Sequence, residues 1–320
     1  MLRYACDDSR DVSDANDSGY QARTISLLAG RHRGQLVRMT AKPIGIHTIC
    51  YSTELLDTVD PDFLPFDVSA EPQEDRRETA HMLTFWRLGK HREYKVSGLL
   101  SPKFAQKTGI NGAIFNHFVA SNPDHDMWFV NPYPHYFYLS YNIWEHGEIW
   151  YPGLSERASR VFAKAGLPID LGKFPRSTWS TLLFSNIWAG TTEFWDQFMA
   201  FVSHMATHAE TVPGVFDTVP YENGRTVYFP FIFERLFTTF LVLHPGIRAR
   251  YANFQTAHIL DMTGNIDRLL IREWGPLIDK WDRAGVYTDD QRAIFRGIQK
   301  LSILGMHANN PEALRALLGL

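Results

Sequence analysis

Residues 124–153 read DHDMWFVNPYPHYFYLSYNIWEHGEIWYPG and contain ten aromatic side chains, where the chain average of 14% would give about four. Polar side chains are set among the rings: Asp124, Asp126, Asn131, His135, Asn142, Glu145, His146 and Glu148. A carbohydrate site needs both kinds of group, because flat apolar rings pack against sugar faces and fixed polar atoms bind hydroxyl groups. An aromatic-rich core segment with polar turns has the same pattern, so both interpretations stay open on this stretch alone.

The composition indicates a sizeable folded domain without the marks of nucleic-acid binding. The chain has 320 residues, 45% of them hydrophobic, and a formal charge of −3. Since contact with nucleic-acid phosphates usually needs a basic face, we expect no nucleic-acid partner. The two cysteines, Cys6 and Cys50, predict a reducing compartment rather than a disulfide framework. No run of about eighteen apolar residues occurs, and we expect a cytoplasmic protein.

Changes in composition divide the chain into three segments. Residues 1–40 begin acidic and end basic, and we expect a disordered or peripheral tail whose basic half could contact an anionic membrane. Residues 41–254 carry the pattern of the main domain. Residues 255–320 read as a helical C-terminal extension, interrupted at Pro276 and containing a capping box at Thr288–Gln291.

Hydrophobic periodicity predicts strands that alternate with helices in the main domain. Apolar runs rich in β-branched and aromatic residues predict strands over 44–52, 94–100, 126–130 and 180–190. Helical spacing of apolar residues is clearest in TEFWDQFMAFVSHM, from Thr192, and predicts a second long helix over 231–243. This alternation predicts an α/β fold with a mixed or mostly parallel sheet.

Several common chemistries leave no motif in the sequence. GxGxxG, GxxxxGK[ST] and GxSxG are absent, which argues against a dinucleotide fingerprint, a P-loop and a nucleophile elbow. His204 and His208 have the i, i+4 spacing of helical zinc ligands. A third ligand is not evident beside them, so we interpret them as ordinary histidines on a helix face.

Four segments resemble glycosyltransferases of bacterial surface-polysaccharide loci with a GT-A-like, nucleotide-diphospho-sugar transferase fold. They are YKVSGLLSPKFAQKTG, DMWFVNPYP with NIWEHGEIWYPGL, STLLFSNIWAGTTEFWDQF, and FPFIFERLFTTFL, about half of the chain. The resemblance implies a three-layer sandwich with a mixed, mostly parallel sheet. It also implies a nucleotide-sugar donor and a glycan or lipid-linked glycan acceptor at the inner face of the membrane.

In such enzymes a strand ends in Asp-x-Asp, which holds a divalent metal on the donor diphosphate. Here the strand MWFV is followed by Asn131, and the Asp-x-Asp of this segment, Asp124 to Asp126, precedes the strand. We therefore expect only partial dependence on Mn²⁺ or Mg²⁺, with Asp124 and Asp126 as the candidate ligands. Without a metal, cations or backbone N–H groups must offset the diphosphate charge.

Candidate site residues follow from the resemblance and from the chemistry of sugar transfer. Transfer requires a carboxylate that takes the proton of the acceptor hydroxyl, and Glu234 is the first candidate, with Glu148 next. A structural role for Glu234, paired with Arg235 or bonded to a nearby loop, is the competing interpretation. Donor-binding candidates are Tyr51, Lys103, Asp126, Asn131 and Arg235. Acceptor-binding candidates are Trp144, Glu145, Asn186 and Trp188.

Three functions remain distinct at this stage. The first is a glycosyltransferase that acts in polysaccharide biosynthesis. The second is a carbohydrate-binding or assembly protein on the same fold that lacks catalysis, which the misplaced Asp-x-Asp favours. The third is a hydrolase that uses two of the carboxylates directly.

Overall fold

The computed structural model describes residues 42–70, 75–219, 226–252, 254 and 263–307. The predicted tail over 1–40 lies outside the described residues. The strands are β1 (Lys42–Cys50), β2 (Leu64–Asp67), β3 (Tyr94–Leu100), β4 (Met127–Val130), β5 (Trp188–Thr191) and β6 (Ala249–Ala252). The helices are α1 (Thr53–Leu56), α2 (Arg77–Arg87), α3 (Phe104–Thr108), α4 (Gly112–Ala120), α5 (Tyr136–Leu139), α6 (Ile143–Trp150), α7 (Leu154–Lys164), α8 (Thr192–Ala209), α9 (Tyr228–Glu234), α10 (Leu236–Leu243), α11 (Asn265–Ala284) and α12 (Asp289–His307).

The six strands form one mixed sheet in the order β2-β1-β3-β5-β4-β6. β1 pairs in parallel with β2 and β3, and β4 pairs in parallel with β6. β5 is antiparallel to both of its neighbours, β3 and β4. Five strands therefore share one direction, and their carboxyl ends meet at one edge of the sheet. The predicted α/β class with a mostly parallel sheet is confirmed.

Alternating side chains give the sheet an apolar surface on both faces, because successive residues of a strand point to opposite sides. In β4, Met127 and Phe129 join a large core beneath α2 and the helices from α7 to α10. Trp128 and Val130 join a smaller core beneath α3 and α4. Helices thus cover both faces, and the sheet is the middle layer.

The predicted strand over 180–190 is wrong in its extent. Only Trp188–Thr191 pairs with neighbouring strands. Before it, Ser185 and Asn186 adopt positive φ values of 66° and 46°, a left-handed conformation that no strand contains.

The long helix predicted over 231–243 is two helices. α9 ends at Glu234 and α10 begins at Leu236. Between them the buried guanidinium of Arg235 donates hydrogen bonds to the carbonyl oxygens of Ile143 and Phe231, at 3.1 and 2.6 Å. These contacts fix the chain at the junction.

The predicted interruption at Pro276 does not occur, since α11 runs continuously through it. A proline costs a helix one hydrogen bond. Here apolar packing of Leu270 and Ile278 against Leu139 and Phe295 keeps the segment in place.

Arg176 ties the C-terminal helices to the main domain. Its guanidinium lies between the rings of Phe137 and Phe295, at 4.4 and 4.6 Å from their centroids. It donates to the carbonyl oxygen of Ser140 and forms an ion pair with Asp282 on α11. Because a buried guanidinium needs this many partners, the extension docks at a defined place.

Among the described helices, none combines the length and apolar character that a membrane crossing requires.

Candidate functional site

The carboxyl edge of the sheet brings together side chains from three neighbouring strands. β3 and β5 pair with Gly98 opposite Ala189, and β5 and β4 pair with Trp188 opposite Phe129. Ser101 directly follows β3, Asn131 directly follows β4, and Asn186 lies two residues before β5, so all three lie at this edge of the sheet. We call these three residues the edge row. Ligands of open α/β sheets bind outside this edge.

The edge row consists of small, uncharged polar side chains that are almost fully buried. Ser101 is 7% exposed, and Asn131 and Asn186 are each 9% exposed. The side-chain oxygen of Asn131 accepts a hydrogen bond of 3.0 Å from the backbone N–H of Tyr133, which fixes the loop after β4. Hydroxyl and amide groups at such positions suit recognition of sugar hydroxyls or phosphate oxygens.

A strained turn holds the central member of this row. Ser185 and Asn186 both have left-handed backbone conformations, which cost non-glycine residues roughly 1–2 kcal/mol each. The backbone N–H of Ser185 donates to Glu234 Oε1 at 2.5 Å, so the carboxylate supports the turn. Strain of this kind is often found at functional sites, and here it positions Asn186 between its two neighbours.

Glu234 therefore lies at the carboxyl edge, as a catalytic base would require. Its side chain is 23% exposed, and its second oxygen lies 3.8 Å from the guanidinium of Arg235. Arg235 itself is 1% exposed, and burial lowers its pKa while the Glu234 charge opposes that shift. The guanidinium expected to bind the donor is instead bonded inside the protein.

Tyr51 and Lys103 flank the edge row on the β1 side. β1 and β3 are parallel neighbours, with Thr48 opposite Leu100, so Tyr51, directly after β1, and Lys103, three residues after β3, lie beyond the same edge. Tyr51 is half exposed, and Lys103 is exposed immediately before α3. The structure thus places these two donor-site candidates at one edge with Asn131 and Asn186.

Asp126 lies at the opposite edge, at the amino end of β4. Its carboxylate accepts a hydrogen bond of 2.8 Å from the Arg248 guanidinium and another from the Arg248 backbone N–H. These bonds hold the pKa of Asp126 below its usual value. The structure separates Asp126 from Tyr51 and Lys103, with which it was expected to bind the donor. Within the described ranges, no group of three or more His, Cys, Asp or Glu side chains could hold a metal ion.

The acidic candidates on α6 are engaged in packing the fold. Glu145 forms ion pairs with Arg292 and Arg296 of α12, at 2.8 and 3.6 Å. Glu148 accepts hydrogen bonds of 2.6 and 2.8 Å from the backbone N–H groups of Gly153 and Ser155. Its carboxylate thus accepts from backbone N–H groups that have no partner within α7, and its charge suits the positive end of the helix dipole.

The tryptophans expected to bind the acceptor are interior residues. Trp144 is fully buried and donates from Nε1 to Thr239 Oγ1 at 3.1 Å. Trp188 is 1% exposed and packs against Trp195, with ring centroids 4.4 Å apart. Neither ring has a face that a ligand from solvent can reach.

A group of aromatic rings lies beside the edge row, and four of its five members come from the stretch 124–153, although none of the five was among the named donor, acceptor or catalytic candidates. Tyr136 lies between His135 and His146, with ring centroids 4.3 and 4.5 Å away. His146 also contacts Phe184, which precedes the strained turn, at 4.8 Å. Tyr133 lies 6.1 Å from Phe184. We call these five residues the ring cluster. In the sequence, this cluster is indicated by two histidines within the aromatic run that follows β4.

A separate cavity of about 390 Å³ lies along β6 and α4, away from the edge row. Its lining includes the rings of Phe118, Tyr251 and Phe254 together with Arg250. This cavity was not predicted from the sequence, because β6 itself was not predicted.

No known protein family, curated protein or solved structure matches this chain. Support for a function therefore comes from the residues and their geometry.

Proposed function

We propose that the chain is a glycosyltransferase with a GT-A-like fold, which moves a sugar from a nucleotide-sugar donor to a glycan acceptor in polysaccharide biosynthesis. The observation that carries the proposal is the edge row, Ser101–Asn186–Asn131, at the carboxyl edge of a mostly parallel sheet. The sheet, covered by helices on both faces, supports the finer fold assignment. The proposed acceptor is a glycan or lipid-linked glycan at the inner face of the cytoplasmic membrane.

The donor diphosphate is proposed to lie between the β1 and β3 ends. Lys103 contributes a cation there, Ser101 a hydroxyl group, and Tyr51 an exposed ring for the nucleobase. A lysine ammonium forms charge-assisted hydrogen bonds with phosphate oxygens. Asp126 and Arg235 are not among the proposed donor-binding residues, because each is bonded elsewhere in the protein.

Glu234 is proposed as the base that accepts the proton of the acceptor hydroxyl. Its carboxylate lies at the carboxyl edge beside the strained turn, and it remains partly exposed. One oxygen holds the Ser185 N–H, while the other is free of any hydrogen bond shorter than 3.5 Å to the described residues. A carboxylate with one fixed and one open oxygen is oriented for proton transfer.

A non-catalytic carbohydrate-binding protein is the second candidate. It is favoured by the structural contacts of the three glutamate candidates: Glu145 with arginines, Glu148 with the start of α7, and Glu234 with Ser185. Such a protein would bind a glycan and leave nucleotide sugars intact.

Incubation with a panel of UDP-, GDP- and dTDP-sugars tests the proposal. We expect one donor to be hydrolysed slowly without acceptor and faster with a glycan acceptor. Glycan binding with no donor consumed would favour the non-catalytic protein. Release of sugar from an oligosaccharide without any nucleotide would indicate the hydrolase.

A further inference from the structure

The ring cluster contains two buried histidines whose polar atoms are not fully used. His135 is 8% and His146 is 7% exposed. The Nδ1 atom of each is buried and has no hydrogen-bond partner among the described residues. Buried polar atoms are nearly always paired in folded proteins, so two unpaired atoms in one cluster call for a partner that comes from outside the chain.

The hydrogen bond at Nε2 of His146 determines whether its Nδ1 is a donor or an acceptor. Nε2 accepts a hydrogen bond of 3.2 Å from Trp150 Nε1, and a nitrogen that accepts cannot carry the proton. The proton of the neutral ring is therefore on Nδ1, which is a donor. Burial, reinforced by the charge of Arg235 and by His135, lowers the pKa of His146 well below its usual value.

His135 is also neutral under physiological conditions. Burial lowers its pKa to about 4, and its ring stacks at a tilt on Tyr136. Tyr133 and Tyr136 are only partly buried, so the cluster reaches the surface along these two rings. The histidines are thus the more buried members of the cluster, in contact with partly exposed rings.

The ring cluster adjoins the edge row. Tyr133 follows Asn131 in the loop after β4, and its backbone N–H is bonded to the Asn131 side chain. Phe184, which contacts His146 and Tyr136, precedes Ser185 and Asn186. A ligand bound to the ring cluster would therefore lie next to the proposed donor site.

We propose that the ring cluster is a subsite for an uncharged sugar ring of the acceptor, with His135 and His146 binding its hydroxyl groups. This inference rests on the proposed function. Hydroxyl groups both donate and accept, so they match an imidazole N–H and an imidazole nitrogen alike. Tyr133 and Tyr136 supply ring surface for the apolar sugar face. The rings of the cluster are uncharged, and the nearby Arg235 is already bonded to the carbonyl oxygens of Ile143 and Phe231 and lies beside Glu234, so an anionic sugar would lose its hydration without gaining a free cation.

Replacement of each histidine by phenylalanine tests the subsite. His135→Phe and His146→Phe keep an aromatic ring and remove the polar atoms. Saturation-transfer NMR and fluorescence titration with lactose, maltose, cellobiose and gentiobiose measure saccharide binding, and UDP serves as the nucleotide probe. We expect each variant to weaken the binding disaccharide by about 5- to 100-fold, with UDP affinity unchanged.

Two further variants separate recognition from packing. His146→Asn restores an N–H donor near the position of Nδ1, and we expect it to bind better than His146→Phe. His47→Phe is the matched control, because His47 is 6% exposed, also has an unpaired Nδ1 among the described residues, and lies with Phe85 and Tyr94 instead. Thermal melting of every variant identifies the folded preparations.

The possible results distinguish failure of the subsite from failure of the proposed function. Unchanged disaccharide binding in both phenylalanine variants overturns the subsite, as does an equal loss in His47→Phe or a wild-type protein that binds none of the four disaccharides. Loss of UDP instead of disaccharide binding also overturns it, since the cluster would then hold the nucleobase. The proposed function fails separately, if the wild-type protein consumes no nucleotide sugar while the histidine variants still lose disaccharide binding.

Discussion

The two edges of the sheet use polar residues in different ways. At the amino edge, Asp196 on α8 accepts hydrogen bonds from Trp86, His91 and Arg92, at 3.0, 2.9 and 2.7 Å. Asp126 is paired with Arg248 at the same edge. At the carboxyl edge, the buried groups are the uncharged edge row, the strained turn and the ring cluster. His91 Nδ1 is also unpaired among the described residues, so what distinguishes the amino edge is charge compensated within the chain. What distinguishes the carboxyl edge is a strained turn beside two unpaired nitrogens of one cluster, which we interpret as a ligand site.

The largest effect is expected at Glu234. Glu234→Gln keeps an oxygen that can accept the Ser185 N–H, but the amide cannot take a proton. We expect turnover to fall by roughly 10²–10⁴-fold with little change in melting temperature. Turnover and melting temperature measured on one preparation check this.

Glu148→Gln is the matched control for Glu234→Gln. Because Glu148 binds the first N–H groups of α7, we expect this variant to lower melting temperature and to keep its turnover. A folded Glu234→Gln protein with near-normal turnover would remove Glu234 as the base and direct attention to Glu148.

The amino edge should respond in stability and not in turnover. Asp196→Ala leaves the N–H of Trp86 and the ring of His91 without their acceptor, and we expect the free energy of unfolding to fall by about 1–3 kcal/mol. Denaturant titration measures it. Arg92→Ala, which removes an exposed partner, should cost less than about 1 kcal/mol. A loss of turnover in folded Asp196→Ala protein would contradict the division between the two edges.

A smaller effect tests the strained turn. Ser185→Gly removes the penalty for a positive φ but adds the entropy cost of glycine. We expect a net gain in unfolding free energy of up to about 1 kcal/mol. Ser185→Ala keeps a side chain on the same backbone and should not show this gain. A glycine variant less stable than the alanine variant would argue against strain at this position.

Metal removal is expected to have the smallest effect. The carboxylates Asp124 and Asp126 belong to the amino end of β4, away from the proposed diphosphate. We therefore expect EDTA to reduce turnover only in part. Complete loss on EDTA treatment, restored by Mn²⁺, would show that a carboxylate site serves the donor.

Much of the fold could be predicted, because local pattern determined it. The predictions of strands over 94–100 and 126–130 match β3 and β4 closely. The capping box is confirmed, with Thr288 N–H donating to Gln291 Oε1 at 2.9 Å and Gln291 N–H to Thr288 Oγ1 at 3.2 Å. β2 and β6 were missed, because Pro65 within β2 and Arg250 within β6 break the apolar run that identifies β4.

The candidate site was predicted only where a topological rule applied. The rule that ligands bind beyond strand carboxyl ends placed Tyr51 and Lys103 together. Carboxylate roles were not predictable, because the partner of Asp126 is Arg248, 122 residues further along the chain. Composition likewise could not separate the buried ring of Trp144 from the partly exposed rings of Tyr133 and Tyr136.

Calorimetric titration with UDP and GDP tests the central claim, that a nucleotide binds at the carboxyl edge. For the nucleotide that binds, Lys103→Ala should lose one charge-assisted phosphate contact, which costs about 1.5–3 kcal/mol of binding free energy. Asp126→Asn, at the opposite edge, should bind as the wild-type protein does. Unchanged affinity in Lys103→Ala, together with a loss in Asp126→Asn, would contradict the account and move the donor site to the amino edge.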